Sequence, residues 1–147
     1  MEPAVEDRWA RSSLRSIRVL LDHLAQRVEL EGSVLHDDVA DLRVVLPDLA
    51  DLVVGAHAEP WPAWRADLEH ALDHPWRESG AYPTVASLAA EREALRDLAD
   101  RALRALHGAD VDPAVRAEGL DRLGTYLRRQ LAREQPMFLP AFLAPSF

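Results

Sequence analysis

The side chains best placed to do chemistry in this chain are Glu134, Arg92, Gln130, His23 and His57. Glu134 and Gln130 lie four residues apart in segment 119–142, where Leu120, Leu123, Leu127 and Leu131 recur at helical spacing. At about 100° per residue, both polar groups point into that apolar face. A carboxylate aimed into a core is costly unless a cation or a hydrogen-bond donor meets it. Arg92 offers the opposite charge, because it falls between Leu88 and Leu95 in the centre of another apolar stripe. His23 and His57 flank the stripes of two further segments. Two chemistries suit this set. In the plainer one, Arg92 forks onto Glu134 as a buried ion pair and Gln130 satisfies a remaining donor or acceptor, with no ligand needed. In the other, the same groups line a central polar pocket, with Arg92 as fixed positive charge and His57 or Glu134 available for proton transfer.

Composition narrows the classes. At 147 residues, with 48% hydrophobic and 29% charged residues, the chain reads as one globular domain over 1–147 with a real core. It has no Cys, which removes disulfides, thiolate metal sites and cysteine nucleophiles. All 17 basic residues are Arg, which removes Schiff-base and phosphate-loop lysines. A net charge of −8 argues against general nucleic-acid binding. The start of the chain carries Glu2, Glu6 and Asp7 rather than a basic apolar leader, and no apolar run approaches a membrane span. The expectation is a cytoplasmic protein with neither membrane nor nucleic-acid partners.

Helices must position these groups. Segment 2–31 reads as a long helix with Ala10, Ile17, Leu21, Leu24 and Val28 inward, Leu14 and Leu20 on its shoulders, and Gly32 as its stop. Ser33 would cap a short accessory helix with Leu35, Val39 and Leu42 inward and His36, Asp37, Asp38 and Asp41 on its solvated face. Leu46-Pro47 restarts the chain, and Leu49, Leu52, Val53 and Ala56 form the next stripe. Pro60 and Pro62 then interrupt. The stripe resumes with Trp61, Trp64, Leu68, Ala71 and Leu72, so the expectation is a kinked continuation rather than a break. His70 and His74 are four apart but oppose that stripe, which makes exposure the expectation. Segment 75–83 is a loop. Thr84 caps a helix to Leu106, stopped by Gly108, and Asp112-Pro113 opens the last one. Pro136 and Pro140 fall in the apolar tail, which is expected to fold over the end of the molecule. Together these predict an all-α, up-down-up-down four-helix bundle with a short accessory helix and an apolar C-terminal tail.

Segment 127–144 (LRRQLAREQPMFLPAFLA) resembles the last helix of hemerythrin-like (HHE) domains, and segments 86–98, 20–29 and 48–62 are similar to the third, first and second. The marker positions His23, His57, Arg92 and Gln130 are separated by 34, 35 and 38 residues. The resemblance implies a fold whose histidines and carboxylates hold a non-haem iron pair. Carried over by position, His23, His57 and Glu134 remain as ligands. Arg92 and Gln130 stand where histidines are expected, and Trp61 stands where the second helix would offer a carboxylate. A permanent guanidinium repels a divalent ion, so Arg92 is read as replacing the metal charge, with Glu134 its partner and no cofactor expected.

Three functional readings follow. In the first, the site has lost its metal and binds a small organic molecule, for instance as a metal-independent lyase, isomerase or cyclase. Arg92, Glu134 and His57 are then the catalytic set, and Gln130, His23, Trp61 and Tyr126 the ligand contacts. In the second, a reduced iron site persists on His23, His57 and Glu134. In the third, the core is purely structural and the surface acts. Three of the four tryptophans, at Trp61, Trp64 and Trp76, would then furnish with the apolar tail a homodimer interface or a pocket lid, although core packing is their commoner use.

Overall fold

The computed structural model describes residues 8–57, 59–73, 82–108 and 111–142, without the side chains of residues 8 and 138–142. Among the described residues there are four helices and no strand. They are α1 (Arg8–Leu52), α2 (Trp61–Leu72), α3 (Val85–Leu106) and α4 (Pro113–Phe142).

α1 differs most from expectation. Its 45 residues run unbroken through Gly32, Ser33 and Pro47, absorbing the expected first helix, the accessory helix and the start of the second. A glycine inside a helix costs roughly 1 kcal/mol, and Pro47 deprives the Arg43 carbonyl of its donor. Burial outweighs both, because Leu35, Val39, Leu42, Val45, Leu46 and Leu49 are all in the core. Ser33 is not a cap. Its hydroxyl donates back to the Leu30 carbonyl at 2.9 Å within the same helix.

The chain breaks, rather than kinks, between α1 and α2. Residues 53–55 form a turn, the Glu59-Pro60 peptide is cis, and Pro60 is the N-cap residue of α2, with Pro62 in its first turn. Arg65 reaches back to the carbonyls of Val53 (3.1 Å), Val54 (2.9 Å) and Ala56 (3.2 Å) in the turn that follows α1. Trp61 and Trp64 meet edge to face with centroids 5.7 Å apart, and Trp64 donates its indole N–H to the Leu98 carbonyl on α3. Both are core residues.

The two expected caps are present. Thr84 accepts from the Ser87 N–H at 3.0 Å, and Asp112 accepts from Ala114 and Val115. Arg116 closes the other side of that connection, donating to the carbonyls of Leu106, Gly108 and Val111. α4 lies antiparallel to α1, since Arg122, Arg129 and Arg133 meet Asp48, Asp41 and Asp38 in turn. Gly119 lets α4 approach closely, because a Cβ there would sit 2.8 Å from Leu106 Cδ1 and 3.3 Å from Leu49 Cδ1. α4 continues through Pro136 and Pro140 to Phe142, so the tail extends the helix that far instead of folding over.

One expected core stripe and half of another are exposed. Leu14, Ile17, Leu20, Leu21, Leu24 and Val28 lie open on the first half of α1. Leu127 and Leu131 are open on α4, whose buried positions are Leu123 and Tyr126. No helix among the described residues is long and apolar enough to cross a membrane.

Candidate functional site

Where α1, α3 and α4 meet, charge replaces apolar packing. Asp38 is only 1% exposed, although the sequence pattern puts it on a solvated face. Its Oδ2 accepts from Arg96 Nε (3.1 Å) and Nη2 (2.7 Å), and its Oδ1 accepts from Arg133 Nη2 at 3.2 Å. Asp41, one turn on and also expected in solvent, is paired as well. Arg129 forks onto both its oxygens at 2.9 and 2.6 Å, and Arg133 Nη2 donates to Oδ2 at 2.9 Å. Glu134 Oε1 accepts from Arg96 Nη2 at 2.9 Å and Gln130 Nε2 at 3.3 Å. Arg92 Nη1 stands 3.8 Å from the same oxygen, close enough for attraction and too far for a hydrogen bond.

The expected pair is therefore corrected by one helical turn. Glu134 does meet arginine on α3, but its hydrogen-bonded partner is Arg96. Arg92 lies at the rim of the cluster, with 27% of its side chain exposed. The fully buried acid of α3 is Glu91, which accepts from Arg43 Nε at 2.5 Å while Arg43 Nη1 donates to the Leu72 carbonyl.

Four guanidinium groups (Arg92, Arg96, Arg129 and Arg133) face three carboxylates (Asp38, Asp41 and Glu134), so a chain of net charge −8 concentrates a positive excess here. Burial works to raise the Asp41 pKa, but the hydrogen bonds and charges of Arg129 and Arg133 outweigh it and hold the carboxyl below its usual range. Burial opposes the charge on Arg96 too, and Glu134 and Asp38 more than restore it. Tyr126 is 2% exposed, and its pKa is pushed up to about 12 by burial first and by the Asp38 charge second. Its hydroxyl is near Arg96 and Asp38 but closes no hydrogen bond among the described residues.

A cavity of about 180 Å³ opens beside this network. His23, Arg92, Arg96, Glu134 and the Arg27–Glu31 pair, 3.4 Å apart, line it together with Val34, Leu35 and Met137. His23 Nδ1 is buried there without a hydrogen-bond partner among the described residues. Gln130 and Tyr126 line a second hollow behind Arg96. His57 and Trp61 are elsewhere. His57 is exposed, and the two line a cavity of about 490 Å³ with Leu52, Ala105 and Asp112, sharing no wall residue with the Arg92 cavity. The structure thus assembles Arg92, Glu134, Gln130 and His23 but not the expected catalytic set with His57. The physical cause is the end of α1 at Leu52, which puts His57 beyond the turn instead of on a helix facing the core.

The same geometry tests the iron ligands implied by the resemblance. His23, His57 and Glu134 do not converge, and the carboxylate of Glu134 beside His23 is held by arginine. Among the described residues, no group of three or more His, Asp or Glu is arranged to hold a metal ion. These residues do not fit an iron pair. His70 is exposed as expected, while His74 and Trp76 lie outside the described residues. No protein-family model, curated protein or solved structure matches this chain.

Sequence reasoning misses Asp38, Asp41, Arg96, Arg133 and the Arg43–Glu91 pair. Spacing that alternates between three and four carries the signal for two of them: Leu35, Asp38, Leu42, Val45, Leu49 on α1 and Leu88, Glu91, Leu95, Leu98, Ala102 on α3. Each run puts one acid squarely in the buried seam.

Proposed function

We propose that this chain is a cytoplasmic, hemerythrin-like, up-down-up-down bundle that has lost its diiron site and binds a small organic anion beside Arg92. The sequence resemblance supports the lineage, and the antiparallel pairing of α1 with α4 agrees with that topology, while α1 carries both the first resembling segment and the start of the second. One observation carries the ligand class. The Arg92 guanidinium lies in the cavity wall with no hydrogen bond among the described residues, beside the unpartnered His23 Nδ1. A carboxylate entering there would supply the missing acceptor to Arg92 and, with a hydroxyl or its protonated form, a partner for His23. The cavity holds about six water volumes, which suits an acid of a few carbons. Its apolar wall at Val34, Leu35 and Met137 would take the carbon part.

Glu134 does not act as a free base in this reading, since Arg96 and Gln130 grip it; it positions Arg96. His23 is the group placed to move a proton, so a metal-independent lyase or isomerase step would run between His23 and a substrate held by Arg92. The purely structural alternative accounts for the Asp38–Arg96–Glu134 bonds but not for the cavity beside them. The test is calorimetric titration of acetate, succinate and benzoate into the wild type and Arg92→Leu. Binding by the wild type that falls about tenfold or more in Arg92→Leu is expected. Failure of all three acids to bind, equal binding by the variant, or near-stoichiometric iron after purification without added metal would overturn the proposal.

A further inference from the structure

The exposed half of α1 is built as a seam. Ala10, Leu14, Ile17, Leu21, Leu24 and Val28 alternate in steps of four and three, the pattern of a helix that packs along another helix. The same pattern continues through Leu35, Leu42, Val45 and Leu49, where α3 and α4 cover it. Before residue 28 no described helix does. Arg96 meets Asp38, so Val85, eleven residues earlier on α3, comes level with about residue 27. Arg133 also meets Asp38, so the last helical residue of α4, Phe142, comes level with about residue 29. About 20 residues of α1, some 30 Å, extend past both. Along them Trp9, Leu14, Ile17, Leu20, Leu21, Leu24 and Val28 are 48–81% exposed.

We infer that this seam is a self-association surface, on which a second copy lays its own α1 antiparallel. Three features select that occupant. First, a seam of this spacing needs a partner of the same spacing, and a second α1 has it. Second, only the antiparallel orientation is free of collision: a parallel partner would run on past residue 28 into the positions that α3 and α4 fill, whereas an antiparallel one carries its body away from them. Paired antiparallel, Ala10 faces the second copy's Val28, Leu14 its Leu24, and Ile17 its Leu21. Third, the charges match in that direction alone. Segment 11–18 holds three arginines and no acid, while segment 22–31 holds three acids and one arginine. Residues 8–28 hold five arginines against one acid, so an anionic lipid surface is the competing occupant, which the vesicle measurement below distinguishes from a second copy.

Half-exposed side chains of these types would remove roughly 500 Å² per copy, about 1,000 Å² in all, the lower bound for a specific interface. The dimer is accordingly concentration-dependent, in the micromolar range. Sedimentation of the full chain should show a shift from monomer to dimer with concentration. Ile17→Glu combined with Leu21→Glu should stay monomeric with unchanged helix content, since both sites are exposed. The natural absence of cysteine allows a direct test of direction. Mixed Ala10→Cys and Val28→Cys proteins should oxidise to a covalent heterodimer, and Ala10→Cys alone should not link to itself. A wild type still monomeric at about 100 µM, a dimer that survives the double glutamate variant, self-linked Ala10→Cys, or binding to phosphatidylserine vesicles by a monomer would each overturn the inference.

Discussion

Replacing Arg96 and Arg92 separately by leucine measures which arginine holds the centre of this molecule. Arg96 donates three hydrogen bonds, two to Asp38 Oδ2 at 3.1 and 2.7 Å and one to Glu134 Oε1 at 2.9 Å. Without it, Asp38 keeps only Arg133 at 3.2 Å while remaining 1% exposed. Stranding one partner of a buried ion pair costs about 3–5 kcal/mol. Arg96 itself is one-third exposed, so some of that strength is screened and the lower end, about 3 kcal/mol, applies. Arg92 makes no hydrogen bond among the described residues and stands 3.8 Å from Glu134 at the rim, so Arg92→Leu should cost about 1 kcal/mol or less. Urea unfolding followed by circular dichroism reads both. At a slope of about 1.5 kcal/mol per molar, Arg96→Leu lowers the midpoint by about 2 M and Arg92→Leu by less than about 0.7 M. Equal losses in the two variants, or a greater loss for Arg92→Leu, would refute the pairing.

Three other perturbations follow from the same geometry. Asp41 has a folded-state pKa below its unfolded one, so its stabilisation is present above about pH 4 and is lost as pH falls through the lowered folded value; Asp41→Asn should be less stable at pH 7 and show a flatter acid limb in denaturation midpoints between about pH 2 and 5. Tyr126 has a raised pKa of about 12, so its contribution is complete below about pH 10 and disappears as pH rises through 12; the ultraviolet absorbance of tyrosinate should show a late phase that Tyr126→Phe removes. Alanine at Gly119 would press on Leu106 at 2.8 Å and should lose about 1 kcal/mol net, whereas alanine at Gly124, whose nearest neighbour is Arg128 Nη1 at 3.7 Å, should gain about 0.5–1 kcal/mol. Thermal midpoints moving the same way in both glycine variants would contradict the packing described at α4.

Local chemistry is legible in the sequence wherever a side chain acts within a few residues of its own position. Thr84 and Asp112 are recognisable as caps because a cap needs only its own helix. Trp61 and Trp64 are recognisable as core for their size and spacing. The continuity of α1 is not legible. Gly32, Ser33 and Pro47 all carry stop or restart signals, and only the burial of Leu35 through Leu49 against other helices overrides them. The need for a cation at Glu134 is readable, but its identity is not. Arg92 and Arg96 are one turn apart on α3, and the 3.6-residue repeat gives nearly the same direction to both. Which one reaches Glu134 depends on the axial registry of α3 against α4, and no property of either helix alone fixes that. His57 escapes sequence reasoning for a related reason, because a helix ending at Leu52 moves every side chain of the following turn off the core.

The site's chemistry turns on the basic residues being arginine throughout. A carboxylate in a three-helix junction must be satisfied from two sides at once, and a guanidinium offers several donors in a fixed plane where an ammonium offers a point charge. Arg96 joins Asp38 on α1 to Glu134 on α4 while anchored on α3, and Arg133 joins Asp38 to Asp41. Each arginine thereby ties separate acids into one network, so the junction holds itself together by directional bonds. Once those acids are occupied, the group left over is the one whose nearest carboxylate is too far to bond. That group is Arg92, and its surplus charge in the wall of the adjoining cavity is the ground for the anion proposed there.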